Sequence, residues 1–229
     1  MAAAPPSIRL PKTKGYRLIN SKLPTIDIFS DVATPEEFED LYALQALTNP
    51  RLVQGVGNLN YIDLNEIPWG IPGCHYAAAS FTHVSPDGSR FSNGAYGMLY
   101  IADTMDTAVA EVEYHQVSYL GKVEGLKFDR LVFRGLACSF GGEFIHDATT
   151  LPVSHAIYHP TDYTASRALG GQLRADGSEG LQYWSVRNPG ATCWGLFTPK
   201  NVQSVVQTAH YEFILREGGI VDKRKVTAV

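Results

Sequence analysis

Apolar residues recur with helical spacing in two segments of the chain, over 104–119 and over 163–176. Both segments carry end signals. The first helix is expected to start at Asp103 or Thr104, Asp162 is predicted to cap the second, and Gly177 follows the second in the position that a left-handed C-cap requires. We therefore predict two well-defined helices.

A third helix is predicted from the segment Thr34-Pro35-Glu36-Glu37, which combines a Thr cap, a Pro at the first helical position and a Glu three residues after the Thr. Asn49-Pro50 is its stop signal. Within the helix over 163–176, the pair Gly170-Gly171 costs roughly 1 kcal/mol per glycine relative to Ala. We interpret this pair as a site of close packing.

Short runs of aromatic, β-branched and small residues between turn signals predict strands. Strands are expected over 76–84, 98–102, 126–135, 140–147, 181–184, 192–197 and 210–216. Residues 1–24 are punctuated by prolines, which predicts an arm that either packs over the domain or is partly mobile. The Gly- and Pro-rich region 51–73 is interpreted as a long connection.

The composition narrows the class of protein. The 229 residues are 45% hydrophobic and 18% charged, which suits one globular domain with a sizeable core. A net charge of -4 does not indicate the basic surface that binds nucleic acid, so a nucleic-acid-binding protein is not expected. No apolar stretch approaches the roughly 20 residues that span a bilayer, so we expect a cytoplasmic protein. Cys74, Cys138 and Cys193 lack metal-site spacing and predict reduced thiols.

Three side chains suited to a polar ligand lie on successive predicted elements. Arg90 follows the turn signal Ser85-Pro86-Asp87-Gly88, Tyr100 lies in the strand over 98–102, and Glu111 lies in the next helix. A turn, a strand and a helix in succession can bring these groups to one site.

Plainer interpretations stay open for each residue. Arg90 and Glu111 would contribute only about 0 to 1 kcal/mol as a surface ion pair. Tyr100 lies among apolar neighbours and would suit the core. Glu111 and His115 have a helical spacing that a metal tolerates, but no third ligand is near and HExxH is absent, so no metal is expected.

Two segments, GSRFSNGAYGMLYIADTMDTAVAEVEYH over 88–115 and DYTASRALGGQLRADGSEGLQYWSVRNPGATC over 162–193, resemble the RES domain family, named for its Arg, Glu and Ser. The resemblance extends from roughly Tyr76 to Pro199. It places the family's functional residues at Arg90, Tyr100, Glu111 and Ser185. Two departures occur: Phe91 stands where Trp is common, and an early Arg of short members has no equivalent before Arg90.

The resemblance implies an ADP-ribosyltransferase-like fold, NAD+ as a consumed substrate, and a toxin restrained by an antitoxin with an Xre-like helix-turn-helix. The expected class is α+β, with a bent β-core of two packed sheets and flanking helices. We expect an N-terminal arm and helical extension over 1–75, packed on an NAD-binding core over 76–229.

The residue types suit cleavage of the nicotinamide–ribosyl bond. Positive charge develops on the ribose in that reaction, so an ionised Glu111 beneath the sugar favours the transition state. Arg90 can hold the pyrophosphate with paired hydrogen bonds. Tyr100 offers an aromatic face, and Ser185 a small donor and acceptor. Ser185 is equally explained as turn chemistry, and Arg187 is a secondary phosphate candidate.

Two classes of function follow from this reasoning. The first is a toxin that cleaves NAD+, by ADP-ribosyl transfer to a protein or by hydrolysis or phosphorolysis. The second is a non-catalytic protein-interaction module whose cleft binds a nucleotide, and it predicts no release of nicotinamide. The expected partners are the Xre-like antitoxin, an acceptor protein and a second copy of the chain in a homodimer.

Overall fold

The computed structural model describes residues 4–22, 27–29, 32–47, 55–217 and 219–226. Its strands are β1 Ser7–Asn20, β2 Leu99–Ala102, β3 Phe128–Asp147, β4 Gly180–Trp184, β5 Thr192–Leu196, β6 Val202–Arg216 and β7 Gly219–Val226. Its main helices are α1 Pro35–Ala46, α2 Cys74–Thr82, α3 Met105–Leu120 and α4 Thr164–Ala175. None of the described helices is both long enough and apolar enough to span a membrane.

The seven strands form one sheet with the order β1-β2-β5-β4-β3-β6-β7. β1 also pairs with β3, which closes β1, β2, β5, β4 and β3 into a ring. The expected α+β class with a bent β-core is confirmed. The strands of that core are hydrogen-bonded into a single sheet. The long strands β1 and β3, with 14 and 20 residues, pair with each other, and they also pair with β2 and β4 respectively.

The two faces of this sheet carry separate apolar clusters. On β3, Leu131 and Phe133 belong to one cluster, whereas Leu136 and Phe140 belong to the other. This split follows from the alternation of side chains along a strand. The first face, which also receives residues of α3 and α4, carries the site described below.

The N-terminal arm differs from the prediction, because it is a strand of the sheet. β1 runs antiparallel to β3, from Ser7 opposite His146 to Asn20 opposite Phe133. Pro11 lies at a register shift, where a missing N–H interrupts no regular ladder. Pro24 lies outside the described residues.

The strand predicted over 76–84 is wrong, since these residues belong mostly to helix α2. Consecutive alanines at 77–79 favour a helix. Ala77 and Ala78 are fully buried, so their small side chains also let the helix pack closely. Gly73 begins the helix with a φ of 74°, a left-handed conformation that glycine adopts without strain.

Most of the predicted helix ends that lie in the described residues agree with the structure. The cap at Asp162 is wrong, since the N-cap of α4 is Tyr163 and makes no side-chain cap hydrogen bond, although Asp162 Oδ1 accepts a hydrogen bond from Thr164 N at 2.9 Å. Thr34 caps α1 by accepting a hydrogen bond from Glu37 N, and Glu37 Oε2 accepts one from Ala33 N. The Asn49-Pro50 stop lies outside the described residues. Thr104 caps α3, and Gly177 follows α4 with a φ of 79°.

Close packing at the glycine pair is confirmed for one of its members. A Cβ on Gly170 would lie 2.0 Å from Phe91 O, whereas a Cβ on Gly171 would meet nothing within 4 Å. Helix α4 therefore rests directly on the backbone beside Arg90.

Candidate active site

Helix α3 places Glu111 at the site. The Thr104 cap fixes the start of this helix, with Thr107 N donating to Thr104 Oγ1 at 3.2 Å. Thr107 is fully buried, and Glu111, four residues later, is half-buried. Residues four apart lie on the same side of a helix, so Glu111 faces the element that covers Thr107.

That element is the corner between β4 and β5. Ser185 Oγ donates to Glu111 Oε1 at 2.6 Å. Ser185 Oγ also accepts hydrogen bonds from the backbone N–H groups of Arg187 and Asn188, at 3.2 and 3.0 Å. Ser185 therefore makes the turn contacts that its surroundings predict and also holds the carboxylate of Glu111.

The backbone around Arg90 is held from several sides. The Tyr100 hydroxyl lies 2.7 Å from Ser89 Oγ and accepts a hydrogen bond from Phe91 N at 3.0 Å. Ser166 Oγ, on α4, donates to Arg90 O at 2.6 Å. The main chain on both sides of Arg90 is thus fixed before any ligand binds.

The Arg90 side chain is buried, with 8% of its surface exposed. Its Nη1 donates to Ile157 O at 3.1 Å and to His159 O at 3.0 Å, and its guanidinium lies 4.5 Å from the centre of the Tyr163 ring. Within the described part of the chain, Nε and Nη2 of Arg90 make no hydrogen bond. These two donors suit an anionic ligand.

Tyr100 has a more structural hydroxyl than the sequence indicates. Burial raises the pKa of Tyr100 to about 12, so the phenol is neutral at physiological pH. Its oxygen is occupied by the contacts to Ser89, Phe91 and Met98, so a ligand would contact the ring of this half-buried residue and not its hydroxyl.

Arg187 lies beside the same loop as Arg90. Its guanidinium carbon lies 3.2 Å from the centre of the Tyr114 ring, and Nη2 donates to Pro160 O. Nη2 also lies 3.4 Å from the Tyr163 hydroxyl. Its Nε is buried and has no hydrogen-bond partner among the residues that the structure describes.

Electrostatic effects show that the charged groups share one region. Desolvation by the surrounding protein lowers the pKa of His115, Glu111 raises it, and Arg187 and Arg90 lower it. Burial raises the pKa of Tyr183, on which Glu111 and Arg90 also act with opposite sign. Glu111 and both arginines are therefore close enough to influence the same side chains.

The geometry bears on one plainer interpretation, the surface ion pair between Arg90 and Glu111. In the described part of the chain, no ion pair joins Arg90 to Glu111, and no Lys, Arg or His side chain pairs with the Glu111 carboxylate. Among the same residues, no group of three or more His, Cys, Asp or Glu side chains is placed to hold a metal ion.

Several residues of the site have no clear signal in the sequence. The carbonyl acceptors of Arg90 come from Ile157, in the short 3-10 helix Ala156–Tyr158, and from His159, which follows it in the connection between β3 and α4. Tyr163 carries only the signal of a helix start. Asn188 belongs to an Asn-Pro-Gly turn, and turn formation alone explains an asparagine there, so the sequence does not indicate its side-chain contact with Thr107.

Two known proteins are similar to this chain, and a family model matches most of it. The uncharacterized protein y4oC of Sinorhizobium fredii (strain NBRC 101917 / NGR234) is 26% identical over 205 residues, which cover 89% of this chain and 83% of that protein. The crystal structure of the M. tuberculosis MbcT-MbcA toxin-antitoxin complex is similar with a TM-score of 0.49 and 10% identity, over 88% of this chain and 87% of that one. A family model described as RES domain matches residues 67–216. The chain therefore belongs to the RES domain family.

Proposed function

We propose that this protein is a toxin that cleaves the nicotinamide–ribosyl bond of NAD+. The hydrogen bond of 2.6 Å from Ser185 Oγ to Glu111 Oε1 carries the proposal. It orients a half-buried carboxylate that has no cationic partner among the described residues. NAD+ as the substrate rests on the resemblance of the motifs to the RES family.

The proposed reaction breaks the bond between the ribose carbon and the nicotinamide nitrogen. The bonding electrons leave with nicotinamide, which becomes neutral, and positive charge develops on the ribose. A fixed negative charge at Glu111 stabilises that transition state more than the ground state. Ser185 holds Oε1, so Oε2 is available for a ribose hydroxyl.

The arginines are assigned to the pyrophosphate. Beyond the Nη1 bonds to Ile157 O and His159 O, Arg90 keeps Nε and Nη2, with three N–H groups, without a hydrogen bond among the described residues. Arg187 brings a second guanidinium beside the same loop, and its positive charge is assigned to the second phosphate. In the proposed complex the ring face of Tyr100 contacts nicotinamide or ribose.

The group that receives ADP-ribose is water, phosphate or a side chain of another protein. An antitoxin with an Xre-like helix-turn-helix is proposed as the restraining partner, on the basis of family membership alone. We expect a helix-turn-helix protein encoded beside this one to co-purify with it, and we expect the complex to lose NAD+ turnover.

The experiment that tests the proposed function follows labelled NAD+ incubated with the purified chain, with and without cell extract and inorganic phosphate. Free nicotinamide, soluble ADP-ribose products and labelled protein are measured separately. Nicotinamide release supports the proposal, and the destination of the label identifies the acceptor. Absence of nicotinamide release under all conditions contradicts it and favours a non-catalytic nucleotide-binding module.

A further inference from the structure

Two side-chain hydrogen bonds, one helical turn apart on α3, join this helix to the corner between β4 and β5, in addition to the contact of Arg187 with the Tyr114 ring. Ser185 Oγ donates to Glu111 Oε1 at 2.6 Å, and Asn188 Nδ2 donates to Thr107 Oγ1 at 2.8 Å. Thr107 and Glu111 are four residues apart and lie on the same side of the helix. The two hydrogen bonds therefore set the corner against the helix in one orientation.

The second attachment reaches a rigid part of the helix. Thr107 is fully buried, and its Oγ1 lies 2.8 Å from Oγ1 of Thr104, the N-cap residue. Pro189 and Gly190, which follow Asn188, are exposed. The capped first turn of α3 is thus a fixed point for a corner whose tip is open to solvent.

Asn188 also acts on Ser185 directly. Its backbone N–H donates to Ser185 Oγ at 3.0 Å, while its side chain holds Thr107. One residue therefore connects the serine that holds the carboxylate to the helix that carries it.

We infer that Asn188 is a positioning residue that, together with Thr107, fixes Ser185 against Glu111. This inference deepens the proposed function, on which its kinetic consequences rest. Asn188 acts through Ser185. Without the Nδ2 donor, the corner loses its hydrogen bond to the capped first turn of α3 and keeps the Ser185–Glu111 hydrogen bond and the contact of Arg187 with the Tyr114 ring. Ser185 is then held less firmly, and a small displacement of a reacting group lowers the rate strongly.

The kinetic test uses Asn188→Ala and Thr107→Val, each in the wild-type and in the Ser185→Ala background. With Ser185 present, each substitution should lower kcat for nicotinamide release about tenfold and leave the KM for NAD+ within about twofold. The kcat of the double variant Asn188→Ala/Thr107→Val should fall no further than that of either single variant, because both substitutions remove the same hydrogen bond. In the Ser185→Ala background neither should lower kcat further. Additive losses, or equal losses in both backgrounds, overturn the inference.

A second measurement needs no activity. The backbone N–H groups of Arg187 and Asn188 are bound to Ser185 Oγ, so their hydrogen exchange reports how firmly the corner is held. Exchange at both should be about tenfold faster in Asn188→Ala and in Thr107→Val, after correction for sequence, with α4 unchanged. Unchanged exchange at the corner overturns the inference. A wild-type protein that releases no nicotinamide contradicts the proposed function, while accelerated exchange in the variants still supports the attachment.

Discussion

Ser185 Oγ lies 2.6 Å from Glu111 Oε1, although 74 residues separate the two in the sequence. The serine oxygen accepts two backbone N–H groups, from Arg187 and Asn188. Its own hydrogen is therefore directed to Glu111. A turn that the sequence explains by local chemistry alone is in this way part of the carboxylate site.

Replacing Ser185 with Ala should affect both turnover and stability. Turnover should fall about 10- to 100-fold because Glu111 loses the donor that orients it. The free energy of unfolding should fall by about 1–3 kcal/mol because two backbone N–H groups lose their acceptor. Steady-state nicotinamide release and urea unfolding measure the two effects. A stable Ser185→Ala variant with wild-type turnover would show that the serine serves neither purpose.

Arg90→Lys tests the assignment of Arg90 to the pyrophosphate. Lysine keeps the positive charge but lacks the planar fork that binds two oxygens at once. We expect the KM for NAD+ to rise about tenfold or more, with a smaller effect on kcat. Arg174→Lys is the matched control, since Arg174 is exposed and lies over the Tyr96 ring. An equal KM in both variants would remove Arg90 from the phosphate site.

The two adjacent glycines of α4 provide a matched pair of variants. Gly170→Ala places a Cβ 2.0 Å from Phe91 O and should destabilise the fold by about 1–3 kcal/mol. Gly171→Ala meets nothing within 4 Å and should stabilise the helix by up to about 1 kcal/mol. Thermal unfolding compares the two. Equal effects would mean that α4 does not rest on the segment carrying Arg90.

His146 should make the fold sensitive to acid. It is buried, its Nδ1 lies 2.9 Å from Ser178 Oγ, and burial lowers its pKa below the ordinary 6.5. The unfolded chain then binds a proton more readily than the folded chain, so the contribution of His146 is complete above pH 6.5 and is lost as the pH falls through its folded pKa. Between about pH 7.5 and about pH 5, the free energy of unfolding measured in urea should fall less in His146→Gln than in wild type. Parallel pH profiles would contradict this role.

Local signals in the sequence identify the helices better than the strands. The caps at Thr34, Thr104 and Gly177 depend on residues within one turn, so they can be predicted without tertiary information. Helix α2 is missed because its aromatic and small residues also suit a strand. β1 is missed because its pairing with β3 joins residues more than 100 positions apart, such as Ser7 and His146.

The residues of the site also fall into a part that the sequence predicts and a part that only the structure shows. Arg90, Tyr100, Glu111 and Ser185 are predicted through a resemblance of motifs, and the structure places Ser185 against Glu111. The contact of Asn188 with Thr107 and the carbonyl groups that bind Arg90 depend on how distant segments meet. No pattern in the sequence encodes such contacts in a readable form.

The most direct test of the account is nicotinamide release from NAD+ by wild type, Glu111→Gln and Glu113→Gln. Glu111→Gln removes the charge at nearly constant shape and should lower turnover by at least about 100-fold, with an unchanged circular dichroism spectrum. Glu113 lies on the same helix and pairs with Lys223, away from Ser185, so Glu113→Gln should stay near wild type. Turnover by Glu111→Gln near that of wild type would contradict the central claim that this carboxylate stabilises a positively charged ribose.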